Sequence, residues 1–187
     1  MNALLTAALA ATALAAAPSA ARDSLAGVTM PNQVEVDGQR LVLNGMALRK
    51  KAIFKVYVAG LYLPAPERSA ERVLAADAPR RVVLQLLRDV DKGKMCDAWN
   101  EGLAANTPNA APALKQQFST LCGWMEDVRE GEQFAFTYLP GRGTRVEVRG
   151  KTKGTLEGKP FADALFAVWI GPKPGPGEEF KKGLMKG

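Results

Sequence analysis

The feature that most constrains the fold is the run Ile53-Phe54-Lys55-Val56-Tyr57-Val58-Ala59-Gly60-Leu61-Tyr62-Leu63. It is rich in β-branched and aromatic side chains and apolar at both parities. A strand that reads this way is covered on both faces. Pro64 and Pro66 end it.

Shorter signals surround that strand. Gln33-Val34-Glu35-Val36 alternates polar and apolar, Asp37-Gly38 follows, and Gln39-Arg40-Leu41-Val42-Leu43 returns. The pattern predicts a tight hairpin with a primed turn. Asn44-Gly45 is a second turn signal. Residues 81–87 read as a further strand, and residues 133–139 and 144–148 as two more around a turn at 140–143. Lys153-Gly154 marks another turn. Ser69 with Glu71 opens a short helix through Leu74. Met95, Trp99 and Leu103 repeat every four residues, and Leu114, Phe118, Leu121 and Met125 trace one helical face. The loop Asn106-Thr107-Pro108-Asn109 between them predicts an antiparallel helical hairpin. Pro160 starts a helix with Phe161, Leu165, Val168 and Trp169 on one side, and Gly171-Pro172 stops it. A Pro/Gly connector over 172–177 leads to a last short basic helix through Met185. The three tryptophans, Trp99, Trp124 and Trp169, sit at core spacing and read as packing. The class is α+β, an antiparallel sheet with helices gathered on it.

The first 21 residues carry no charged side chain, and Leu4, Leu5 and Leu14 lie in an alanine run. The apolar stretch is shorter than the ~20 residues needed to span a bilayer. With Ser19 and Ala21 at the small-residue positions, it reads as a secretory signal peptide over 1–21. The alternative is an Ala-rich helix. Export to the periplasm or the medium is expected, with residues 22–187 as one domain. No later segment is apolar and long enough for a membrane helix. The net charge of +6 comes from basic residues scattered among acids, which suits an anionic ligand or membrane surface, or simply solubility, better than nucleic acid. The chain has no histidine, which excludes Ser-His-Asp and Cys-His catalysis and His-ligated metals. Two cysteines cannot build a structural zinc site or an iron–sulfur cluster. No phosphate-loop or dinucleotide motif is present. No metal or cofactor is expected.

Cys96 and Cys122 lie on the two hairpin helices, equidistant from residue 109 in the loop. Opposed positions in an oxidising compartment predict a Cys96–Cys122 disulfide; the alternative is two buried thiols. Arg49 and Tyr57 are eight positions apart. If one strand runs unbroken from 49 to 57, both side chains share a face. A guanidinium and a phenol together can hold a carboxylate, with the ligand's apolar body among Phe54 and helix side chains. The alternative is a solvated strand end beside a core tyrosine. Lys50 and Lys51 read as a solvated end.

Leu43-Asn44-Gly45-Met46-Ala47-Leu48-Arg49, the run from Phe54 to Leu63, and Phe161-Ala162-Asp163-Ala164-Leu165-Phe166-Ala167-Val168-Trp169-Ile170-Gly171 together resemble the bacterial chalcone isomerase-like proteins. So does Lys181-Lys182-Gly183-Leu184-Met185. The resemblance implies an open-faced β-sandwich, a large antiparallel sheet with helices packed on one face. It also implies one of three activities: ring closure of a chalcone by an intramolecular lyase reaction, fatty-acid binding, or a non-catalytic enhancer role. Arg49 matches the family arginine. Tyr57 takes the place of the plant enzymes' strand threonine, as in the fatty-acid-binding members. The family's catalytic tyrosine, asparagine and late-helix hydroxyl fall near Asp91, Ala98 and Val168. The expected function is therefore a non-catalytic, exported binding protein for an anionic amphipathic ligand such as a fatty acid, held by Arg49 and Tyr57. The alternatives are an isomerase acting on a conjugated substrate, and an envelope interaction module using the basic residues 181–186.

Overall fold

The structure is a computed structural model that describes residues 22–187; the signal-peptide reading lies outside the described residues. The described chain opens with a two-stranded ribbon, β1 (Arg22–Leu25) and β2 (Val28–Pro31). It then builds one seven-stranded antiparallel sheet whose spatial order is the chain order: β3 (Gln33–Val36), β4 (Gln39–Lys51), β5 (Phe54–Leu63), β6 (Arg80–Leu86), β7 (Gln133–Leu139), β8 (Gly143–Val148) and β9 (Lys151–Leu156). Helix α1 (Ala70–Ala75) joins β5 to β6, and the hairpin of α2 (Lys92–Asn106) and α3 (Pro112–Gly123) joins β6 to β7. Helices α4 (Lys159–Ile170) and α5 (Glu178–Leu184) close the chain. This is the expected α+β sandwich.

The apolar run forms β5, between β4 and β6. Ala59, Leu61 and Leu63 face the helices, while Val58 and Tyr62 face the ribbon. Both faces are thus covered, as the sequence pattern requires. Gly60 lets the ribbon approach, since a Cβ there would meet the sulfur of Met30. Beyond the ribbon the back of the sheet is polar: Arg81 pairs with Glu147 at 2.6 Å and Arg145 with Asp37 at 2.9 Å. On the helix side, α4 is buried almost all round from Phe161 to Ile170, so it is the central helix of the layer. Arg80 is buried beneath it. Its guanidinium is held by Asp163 and by the Val73 carbonyl at 2.8 Å, between the rings of Tyr138 and Phe166.

Local chemistry accounts for the element ends. Asp37 and Gly38 both have positive φ, 51° and 76°, as the primed turn of the β3–β4 hairpin demands. Ser69 accepts from the Arg72 N–H to cap α1, and Asp91 accepts from Gly93 and Lys94 to cap α2. Cys96 and Cys122 are joined, their Cα atoms 5.5 Å apart.

Three expectations fail. Lys153-Gly154 is no turn: the β8–β9 turn is at Arg149-Gly150, both at positive φ, and Gly154 lies in β9 beneath the Trp124 ring. Ile53 is not in the strand but in the β4–β5 turn, 88% exposed. Asn44-Gly45 does not reverse the chain. It sits inside β4, where the pairing shifts by one residue between Leu43 and Gly45. The extra residue, Asn44, is buried. Its Nδ2 donates to the carbonyls of Glu67 (2.9 Å) and Leu184 (2.8 Å), and its Oδ1 accepts from the Glu67 N–H (2.8 Å). A residue type that favours turns through its side-chain hydrogen bonds uses them here across the fold. Gly45 keeps this region thin, because a Cβ would run into the backbone carbonyls of Gly183 and Leu184 in α5.

Two stability tests follow from these contacts. Gly45→Ala forces α5 off the sheet, an overpacking cost of about 2 kcal/mol, and should lower the melting temperature by about 5 °C. An unchanged melting temperature would show that α5 does not need the close approach. Removing the Cys96–Cys122 bond by Cys96→Ala/Cys122→Ala should cost about 3 kcal/mol, read as a lower urea midpoint, with a somewhat steeper slope because the unfolded chain is no longer held compact by the crosslink. Equal midpoints would mean the bond adds nothing to stability.

Candidate ligand-binding cavity

The β4 bulge decides which way Arg49 points. Leu41 and Leu43, before it, face the ribbon side. Without the extra residue Arg49, at the same parity, would face that side too. After the bulge, Met46 and Leu48 take the ribbon side and Ala47 turns to the helices. Arg49 follows Ala47. The strand does not run unbroken from 49 to 57, as the parity argument supposed. It turns at Ala52-Ile53, and Arg49 and Tyr57 are cross-strand partners of β4 and β5. Opposed residues of an antiparallel pair share a face, so the two side chains come together by a different route from the expected one.

Each is oriented by a neutral partner. Arg49 Nη1 donates to the Pro176 carbonyl at 3.0 Å. Among the described residues, Arg49 makes no ion pair. The Trp169 indole N–H donates to the Tyr57 hydroxyl at 3.1 Å, and the Phe180 ring meets the Tyr57 ring edge to face at 5.8 Å. Burial pushes the Tyr57 phenol up to about 12, against the opposing pull of the indole hydrogen bond and the Arg49 charge. The phenol is therefore neutral at ordinary pH. Its oxygen already accepts from Trp169, so its own proton is available to a guest.

Both side chains line a cavity of about 600 Å³ between sheet and helices. Val56, Leu84, Leu86 and Phe134 extend the floor. Met95, Ala98, Trp99 and Gly102 of α2 form the roof, Val168 and Trp169 of α4 one wall, and Lys173, Gly175 and Pro176 another. Gly102 lets α2 and α4 close over it, since a Cβ there would meet Val168 at 2.8 Å. The exposed rim carries Phe54 with Lys51, Arg88, Lys94 and Lys173, against Asp89 and Glu101. The lining is mostly apolar with a few convergent polar groups, the usual make-up of a small-molecule pocket, and its rim carries an excess of positive charge. No cluster of three or more metal-ligating acidic, cysteine or histidine side chains forms among the described residues.

Other sequence readings meet the structure unevenly. Ala98 and Val168, aligned by resemblance with the family's asparagine and late-helix hydroxyl, do line the cavity, as apolar groups. Asp91 does not line it and instead caps α2. Trp99 and Trp169, read as packing only, also face the cavity. The Tyr57–Trp169 bond spans 112 positions, beyond any spacing rule. Residues 181–186 are not a free basic tail. Lys181 Nζ donates to the Gly171 carbonyl at 2.9 Å, Lys182 pairs with Glu179 at 2.7 Å, and Leu184 is buried.

Comparison with known proteins agrees with this architecture. The crystal structure of a fatty-acid binding protein from Arabidopsis thaliana superposes with a TM-score of 0.68 at 16% identity, covering 90% of this chain and 96% of that one; the likeness is one of fold. No curated protein matches by sequence. A family model described as chalcone isomerase-like matches residues 21–186. Covering the ribbon, the whole sheet and all five helices, that match shows that the chain belongs to the chalcone isomerase-like family.

Proposed function

We propose that this protein is a non-catalytic carrier of an amphipathic carboxylate, a fatty acid being the simplest example. The observation that carries the reading is the Arg49–Tyr57 pair, in register on the floor of a largely apolar cavity. Arg49 bonds the carboxylate, the free Tyr57 proton adds a further hydrogen bond, and the tail runs beneath α2. Each buried methylene contributes about 0.8 kcal/mol. The plant structure of the same fold is that of a fatty-acid binding protein, which supports the reading without fixing the ligand here. Ring closure of a chalcone finds less support, because Ala98 and Val168 offer no hydrogen bonds to a phenolate or ketone. Export belongs to the same proposal: the Cys96–Cys122 bond and the apolar leader both fit an oxidising compartment.

Calorimetric titration of delipidated protein with palmitate tests the site. Losing a hydrogen bond to a charged group costs about 1.5–3 kcal/mol, so Arg49→Ala should weaken binding roughly 10- to 100-fold. Tyr57→Phe, which loses one hydrogen bond to the same carboxylate, should weaken it about tenfold, the lower end of that range. Palmitate affinity unchanged in Arg49→Ala would remove the basis of the reading. The reading also needs a protonated phenol. All three tyrosines, Tyr57, Tyr62 and Tyr138, are pushed up to about 12, chiefly by burial. Native protein at pH 10 should therefore show almost no tyrosinate absorbance, whereas the denatured chain should be about half ionised. Substantial native ionisation at pH 10 would mean that water reaches these phenols.

A further inference from the structure

The only large hydrophobic side chains exposed among the described residues are neighbours: Ile53, at 88%, and Phe54, at 53%. They sit at the tip of the β4–β5 hairpin, where Ala52 takes a positive φ of 52°. The tip projects beyond the rest of the sheet. On one side β3 pairs with β4 only as far as Val42, and on the other β6 pairs with β5 only from Tyr57. Lys50, Lys51 and Lys55 surround the apolar pair, all exposed, with no acidic residue between 49 and 55. The Arg88 guanidinium lies over the Phe54 ring, 4.7 Å from its centroid. None of these four cations forms an ion pair among the described residues. Of the nearby acids, Asp89 is engaged by the Glu130 N–H at 2.9 Å, and Glu101 lies on α2.

Scattered exposed apolar side chains need no explanation. Two adjacent ones at the end of a projecting hairpin, ringed by unpaired cations, form a small amphipathic prong. The prong is too small to anchor a stable protein interface, which buries roughly 1,000 Å² or more. It suits a lipid interface, where apolar side chains enter the acyl boundary and lysines keep their charge among anionic headgroups. We infer that the β4–β5 tip docks on an anionic lipid surface, with Ile53 and Phe54 inserted and Lys50, Lys51, Lys55 and Arg88 against the headgroups. Lys51 and Phe54 are also part of the cavity rim. Docking therefore brings the open side of the cavity to the bilayer, where an amphipath can pass without crossing bulk water. Binding to the surface does not depend on what the cavity holds.

The test is flotation of the purified protein with phosphatidylcholine vesicles, with and without phosphatidylglycerol. The protein should float with the anionic vesicles at low salt and dissociate as salt rises. Each cation near such a surface is worth roughly a fivefold change in partitioning, so Lys50→Glu/Lys55→Glu should lose at least about 25-fold. Ile53→Ser should lose about tenfold, with melting temperature unchanged because its side chain is in water. Neither Ile53, Lys50 nor Lys55 lines the cavity. Palmitate affinity measured without vesicles should stay the same in both variants, which separates a failure of docking from a failure of the binding site. No flotation with anionic vesicles, or equal flotation of wild type and both variants, overturns the inference. So does a wild-type tip that ignores vesicles but crosslinks a protein through a photoreactive group at position 53.

Discussion

The side-chain amide of Asn44 holds three parts of the chain at once. Within one buried site it bonds the backbone of Glu67 through both its donor and its acceptor, and the carbonyl of Leu184. The backbone carbonyl of Asn44 accepts from the N–H of Gly187 at 3.1 Å. A buried amide left without these partners would cost about 1–3 kcal/mol, so the bulged strand, the chain after β5 and the last helix are fixed together. Gly45, beside it, sets how closely α5 lies on β4. The setting of the Arg49–Tyr57 pair depends on that seat. The bulge turns Arg49 toward the helices, the connector into α5 supplies the Pro176 carbonyl, and α5 brings Phe180 against Tyr57.

The cavity separates its polar end from its apolar body by simple means. Arg49 and Tyr57 are oriented by a carbonyl and an indole N–H, neither of which neutralises them. They remain available for a guest while held in one geometry, which lowers the ordering cost of binding. Where the family resemblance puts further polar groups, this chain has Ala98 and Val168. On the proposed reading, a few lining residues are enough to change what one scaffold does, as expected where function is grafted on a fold rather than set by it.

Much of the architecture was legible because it is written in short-range patterns. The two-sided apolar run placed β5 in the interior, Asp37-Gly38 gave the first hairpin, and the positions of Cys96 and Cys122 about residue 109 gave their pairing. The errors occur where one local signal serves two structures. Asn-Gly marks a turn in the unfolded chain's local preferences, yet at 44–45 tertiary hydrogen bonds and the approach of α5 recruit it into a bulge. Gly154 reads as a turn glycine, but its missing side chain makes room for Trp124. The candidate site is half legible: the sequence points to Arg49 and Tyr57, but cross-strand pairing of β4 and β5, not one continuous strand, brings them side by side. Trp169 and Pro176 could not be found, since only the folded sheet and α4 bring them near.

The helical hairpin is joined to the sheet through a narrow neck. Val90 and Val128 exchange backbone hydrogen bonds at 2.8 and 3.0 Å, Asp127 accepts from the Lys92 N–H, and the Cys96–Cys122 bond ties the helices just above. Floor and roof of the cavity are therefore separate units of variation. An insertion in the loop at 107–111, or a turn added to both helices, lengthens the roof while the pairing of β6 with β7 stays as it is. The reach of the roof over the cavity can therefore change without redesigning the strands that present Arg49.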